Sequence, residues 1–120
     1  MAASVPPRSC WKALAKPATG KRANLPRLSD HTSALRKDWE RLSRSGRHDM
    51  RRLKAVMLDL VANEAPLPAE RRDHALVGDW SGFRECHIGG DFLLIYQVTG
   101  SGTKETVIFV RAGTHADLFE

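Results

Sequence analysis

Two apolar stripes at helical spacing, followed by three apolar runs at strand spacing, organise this chain. Leu35, Trp39 and Leu42 recur at i, i+4 and i+7, which places them on one face of a helix. Ser29 and Asp30 precede the stripe as candidate caps, and Gly46 ends it. Met50, Leu53, Val56, Met57, Leu60 and Val61 follow at i, i+3, i+6, i+7, i+10 and i+11, with Asp49 as the cap. The polar back of this second helix carries Arg51, Arg52 and Lys54, ordinarily a solvated face. Leu25–Leu28 reads as a short first strand or its approach. Pro66 and Pro68 close the helical segment and open a loop that runs through Gly78.

After Asp79 the period changes. Gly82–Ile88, Asp91–Val98 and Glu105–Arg111 are rich in β-branched and aromatic residues and are separated by Gly89-Gly90 and by Thr99–Gly102. Such turns predict an antiparallel meander. Leu93-Leu94-Ile95-Tyr96 and Val107-Ile108-Phe109-Val110 are continuously apolar, which suits central strands covered on both faces. The fold class is therefore α+β: two amphipathic helices packed on a small twisted antiparallel β-sheet.

The chain has 120 residues, enough for one domain with one modest core. No apolar run approaches the ~20 residues of a membrane span, and the N-terminus lacks the apolar core of a secretory signal, so a cytoplasmic location is expected. Cys10 and Cys86 stand in dissimilar contexts without a CxxC or Cys/His ligand spacing. They read as free thiols, and no zinc site is expected. The formal charge of +5 is unevenly spread. Residues 1–28 carry six basic side chains and no acidic one, and residues 29–54 carry eight basic against four acidic. Residues 55–120 reverse the balance, with five basic against ten acidic. A polyanion is thus drawn to the N-terminal half. Residues 1–24, rich in Pro, Ala, Lys and Arg, read as a basic, disordered extension ahead of a domain over 25–120. An over-long start and a nucleic-acid arm are both open readings of that extension.

The acidic half carries the candidate chemistry. Of the five histidines, His74 lies in the long loop, His87 ends the first strand of the meander, and His115 follows the last. In a meander the first hairpin places His87 and Asp91 at one edge, and the third strand returns Arg111 and then His115 to that edge. A metal-free ribonuclease must take a proton from a 2′-hydroxyl, stabilise a phosphorane and protonate the departing 5′-oxygen. Imidazole, with a reference pKa of about 6.5, serves either proton transfer. Asp91 can orient an imidazole or act as base, Arg84 or Arg111 can stabilise phosphate charge, and Phe92 or Phe119 can stack on an unstacked base. Each has an ordinary reading too: surface histidines, arginines in strand ion pairs, phenylalanines in the core. Arg84 and His87 differ by an odd number, so a regular strand sends them to opposite faces, which demotes Arg84. His31 and His48 are read as surface residues.

The ordered series Asp73-His74-Ala75-Leu76-Val77-Gly78-Asp79-Trp80, Gly82-Phe83-Arg84-Glu85-Cys86-His87, Asp91-Phe92-Leu93-Leu94-Ile95-Tyr96 and Gly113-Thr114-His115-Ala116-Asp117-Leu118-Phe119 resembles the YafQ-type branch of the RelE toxin superfamily over roughly residues 25–120. The resemblance implies the toxin half of a type II toxin–antitoxin pair, a ribosome-associated endoribonuclease that cuts mRNA without metal or other cofactor. By motif it implies His74, His87, Asp91 and His115 as catalytic residues, with His115 as proton donor to the leaving oxygen. It implies Phe92, often tryptophan in relatives, and Phe119 as stacking residues. It further implies an antitoxin of the RelB or DinJ kind whose acidic segment matches the basic helical half. Two rival readings remain: a catalytically weak homologue that binds ribosome or antitoxin, and a DNA-binding regulator resting on the basic extension alone.

Overall fold

The first strand is made not by the approach to Leu28 but by Leu28–His31 (β1), which pairs in parallel with a strand almost eighty residues later. The computed structural model describes residues 25–100 and 104–119; the basic extension expected over 1–24 lies outside the described residues. Because Ser29 and Asp30 are spent in β1, the first helix starts later than the capping pattern predicted. Thr32 caps α1 (Ser33–Ser45) by accepting a hydrogen bond from Leu35 N at 3.0 Å. Gly46, at φ 67°, closes it in the left-handed conformation that glycine adopts without steric cost. Asp49 caps α2 (Met50–Ala62) through Arg52 N, and Asn63 ends it in the left-handed region.

Beyond the prolines the chain makes a short 3₁₀ turn (Ala69–Arg71), a two-residue strand β2 (His74–Ala75) and a second 3₁₀ turn (Gly78–Trp80). The expected meander follows as β3 (Arg84–Gly89), β4 (Phe92–Thr99) and β5 (Thr106–Thr114), and the chain turns into a five-residue helix α3 (His115–Phe119). The sheet order is β1-β5-β4-β3-β2. All pairings are antiparallel except β1 with β5, so the sheet is mixed, with one parallel edge added to the meander.

The continuous apolar run of β4 is covered on both faces, as its pattern predicted. Phe92, Leu94 and Tyr96 meet Leu35 and Leu42 of α1 and Leu53, Val56 and Leu60 of α2. Leu93 and Ile95 point the other way and pack with Leu118 of α3, beneath Leu76, Trp80, Phe83 and Phe119. One sheet therefore has a helical side, which holds the main core, and a second side roofed, among the described residues, by the 76–83 loop and α3. That thinner side carries His74, His87 and His115.

Candidate active site

Strand pairing decides which side chains share the thin side. His87 registers opposite Leu93 and Glu85 opposite Ile95, so both project to the side of Leu93 and Ile95. β2 adds His74 directly opposite Glu85. The result is two imidazoles on one buried carboxylate: Glu85 Oε2 lies 3.5 Å from His87 Nε2 and 3.8 Å from His74 Nε2. Glu85 is 4% exposed, whereas His74 is open to solvent and His87 partly so. His74 Nδ1 donates to the carbonyl of Arg72 at 2.7 Å, which leaves Nε2 as the nitrogen that takes up or gives away a proton.

The third histidine, His115, arrives on α3. Leu118 anchors this helix on Leu93 and Ile95, on the same side of the sheet as His87. Thr114 and Asp117 cap it reciprocally: Asp117 N donates to Thr114 Oγ1 at 3.2 Å, and Thr114 N donates to Asp117 Oδ2 at 3.1 Å. The hydrogen bond from Thr114 N, with smaller contributions from the Thr114 side chain and Arg41, holds the Asp117 carboxyl below the usual carboxylate range despite slight desolvation. His115 is exposed, its ring 4.9 Å from that of Phe119, and Phe119 meets Trp80 edge-on at 5.8 Å. Asp91, in the β3–β4 hairpin, accepts a hydrogen bond from His115 N at 3.4 Å. The carboxylate beside the imidazoles is thus Glu85, while Asp91 ties the hairpin to the backbone of α3.

Three residues expected at the site lie elsewhere. Phe92 was expected as a rim aromatic; it is 5% exposed within the helical-side core, with the His48 ring 4.6 Å above it. The β4 alternation forces this, since Phe92 shares a face with Leu94 and Tyr96. It also gives His48 a packing role rather than that of a plain surface residue. Arg84 registers opposite Tyr96, three residues and one face removed from His87, and its guanidinium goes to Asp73 (Nη2–Oδ2 3.1 Å), which the Tyr96 hydroxyl also contacts. The β3 bulge falls between His87 and Gly89, too late to bring Arg84 and His87 to one side. Arg111 is held bidentate by Asp38 of α1, with Nε–Oδ2 at 2.7 Å and Nη2–Oδ1 at 3.0 Å.

The model of the bacterial toxin of type II toxin–antitoxin system, YafQ, matches residues 27–120. The chain belongs to the YafQ toxin family. The mRNA interferase toxin YafQ of Escherichia coli K12 is 42% identical over 79 residues, which cover 66% of this chain and 82% of that protein. The crystal structure of the E. coli DinJ–YafQ toxin–antitoxin complex superposes with a TM-score of 0.69 at 38% identity, covering 80% of this chain and all of the solved one. A metal-bound toxin from Helicobacter pylori superposes at 0.65 with 36% identity, covering 76% of this chain and 97% of that one. Among the described residues of this YafQ-family chain, no group of three or more His, Cys, Asp or Glu side chains is placed to hold a metal ion. No helix among them is long and apolar enough to cross a membrane.

Glu85 of the candidate site is absent from the residues that the sequence motifs single out, although it differs from His87 by two, so that strand alternation alone places both on one face. Cys86, between them, faces the opposite side, fully buried, and burial pushes its thiol up to about 12, so it takes no part in acid–base work near neutrality.

Proposed function

We propose that this chain is an mRNA-cleaving toxin that works in the cytoplasm on translating ribosomes and is restrained by a cognate antitoxin. The observation that carries the reading is the gathering of His74, His87 and Glu85 on the sheet side that α3 also covers with His115 and Phe119, in a chain whose family is that of an mRNA interferase. The E. coli DinJ–YafQ complex supports a partner of the DinJ kind.

In the proposed reaction an imidazole of the His74–His87 pair takes the proton of a 2′-hydroxyl, and the 2′-oxygen attacks the adjacent phosphorus. The P–O5′ bond breaks, and the imidazolium of His115 gives its proton to the departing 5′-oxygen. The products are a 2′,3′-cyclic phosphate and a 5′-hydroxyl. Glu85 stabilises whichever imidazole holds the abstracted proton, at 3.5–3.8 Å from both Nε2 atoms. Asp91 acts by positioning, since its observed bond fixes the amide of His115. Phe119 offers a face on which an unstacked base can lie, next to the His115 ring. Phe92 is left out of the stacking surface, and Arg84, paired with Asp73, out of the stabilisation of phosphate charge. Arg111 braces α1 against β5.

The test is a purified translation extract with wild type and His115→Gln. Wild type should arrest synthesis, and removing the proton donor should slow cleavage by roughly 10²–10⁴-fold. Equal arrest by both proteins, without cut messenger, would favour a ribosome- or antitoxin-binding homologue and sink the nuclease reading.

A further inference from the structure

Beside His87 lies a cleft of about 510 Å³ whose other lining groups, Arg52, Glu70, Arg71, Arg72 and the hairpin glycines, have no part in the proposed reaction. Three elements meet there: the first turn of α2, the 3₁₀ turn after Pro68, and the β3–β4 hairpin. We propose that this cleft binds the phosphodiester backbone of single-stranded RNA and leads the strand to His87. The proposal rests on the nuclease reading for what happens at His87, but the binding it describes can be measured without cleavage.

The chemistry of the lining is what an RNA backbone needs. Three guanidinium groups face one carboxylate, Glu70, so the cleft is cationic. Among the described residues, none of the three guanidinium groups is consumed by a strong internal pair. Arg71 donates to the Ile88 carbonyl at 2.8 Å, a neutral acceptor that fixes the side chain but leaves its charge unbalanced. Arg52 is paired only loosely, with Asp49 at 3.9 Å, and both side chains are more than half exposed. Arg72 is exposed on a left-handed backbone at φ 49°, a conformation that few non-glycine residues hold. Guanidinium forks match phosphate oxygens two at a time, which a point charge does not.

The hairpin supplies access. Gly89 and Gly90 present bare backbone, and a β-carbon on Gly89 would come within 3.0 Å of Arg52 Nη1, so the arginine already lies against the glycine. The size lies within the roughly 300–1,000 Å³ of ligand-holding clefts. Two links join the cleft to the site. His87 lines both, and the carbonyl of Arg72 accepts the Nδ1 proton of His74. An acidic peptide shares the attraction to arginine, but continuity with His87 favours the nucleic acid.

The experiment is equilibrium binding of a short, fluorescein-labelled, single-stranded 2′-O-methyl RNA to the full chain, followed by anisotropy between about 50 and 200 mM salt. The probe lacks the 2′ nucleophile and cannot be cut. Each lost phosphate contact lowers the salt slope by about 0.7 on a single strand, so Arg52→Ala/Arg72→Ala should lower it by about 1.4 and weaken binding on the order of tenfold. Arg52→Lys/Arg72→Lys should restore most of the slope, because charge survives. An unchanged slope in the alanine variant, with its thermal melt intact, overturns the proposal. So does loss of binding to an acidic peptide alone, with RNA binding unaffected. His115→Gln separates the two claims: the part of the slope lost in Arg52→Ala/Arg72→Ala should be lost equally in the His115→Gln background, while cleavage on ribosomes slows by roughly 10²–10⁴-fold. A wild type that binds with this arginine-dependent slope yet cuts nothing would refute the nuclease reading and uphold the cleft.

Discussion

Replacing Asp38 by alanine should cost this fold about 2–4 kcal/mol. The carboxylate is 4% exposed and accepts from Arg111 Nε and Nη2, from Ala112 N at 3.1 Å and from Arg41 Nη2 at 3.1 Å. Hydrogen bonds to charged groups contribute about 1.5–3 kcal/mol each, yet the sum overstates the loss. The side chains of Arg111 and Arg41 are 30% and 47% exposed, so water takes over part of what Asp38 gave them. The amide of fully buried Ala112 has no such recourse, and a stranded buried donor costs about 1–3 kcal/mol. The total therefore lies around the lower end of what breaking a buried ion pair usually costs, about 3–5 kcal/mol, and reaches somewhat below it. In urea unfolding the midpoint should drop by on the order of 1 M or more, with an unchanged slope. Acid titration gives the second half of the test. Burial works to raise the Asp38 carboxyl, but the bonds from Arg111, Ala112 and Arg41 outweigh it and hold the group below its ordinary value. A depressed folded value means the stabilisation is complete above about pH 4 and is lost as pH falls through the folded value. The gap between wild type and Asp38→Ala should accordingly narrow in acid. A gap under about 1 kcal/mol at neutral pH, or one that persists undiminished in acid, would refute the reasoning.

Other substitutions separate core from site. Phe92→Ala should cost about 3–5 kcal/mol in chemical denaturation, whereas half-buried Phe119→Ala should cost less and instead slow cleavage; the reverse ranking would restore Phe92 to the site. Gly100→Ala should destabilise by more than about 2 kcal/mol, since its backbone sits at φ 88° and a β-carbon would lie 2.2 Å from the Lys104 carbonyl oxygen. Gly46→Ala, at φ 67° with open space around it, should cost only about 1–2 kcal/mol in the same melt. Buried Cys86 should resist iodoacetamide in the native protein at mildly alkaline pH and react once urea unfolds it; rapid native labelling would contradict its burial.

What was legible in the residues is what periodicity controls. The stripe from Met50 to Val61 and the unbroken run Leu93–Tyr96 each have one packing solution, so α2 and the two-sided β4 follow from them. Parity alone separates Arg84 from His87 and joins Glu85 to His87 on one face of β3. β1 was hidden because Leu28–His31 is short and polar, with Ser29 its only buried residue, and so reads as a capping segment. Phe92 was misplaced because it borders a turn, where face assignment depends on the register of the whole hairpin. The partner of Arg111 was invisible for a different reason. Asp38 stands on the first helix, 73 residues away, and a polar residue on an apolar stripe carries no signal of the strand it will meet.

The most direct test of the central claim is to induce wild type and His115→Ala in growing bacteria and map the 5′ ends of cellular messenger. The account predicts new ends within translated codons, bearing 5′-hydroxyls, that vanish in the variant. Growth arrest by the wild type without new ends, or the same ends in the variant, would contradict it.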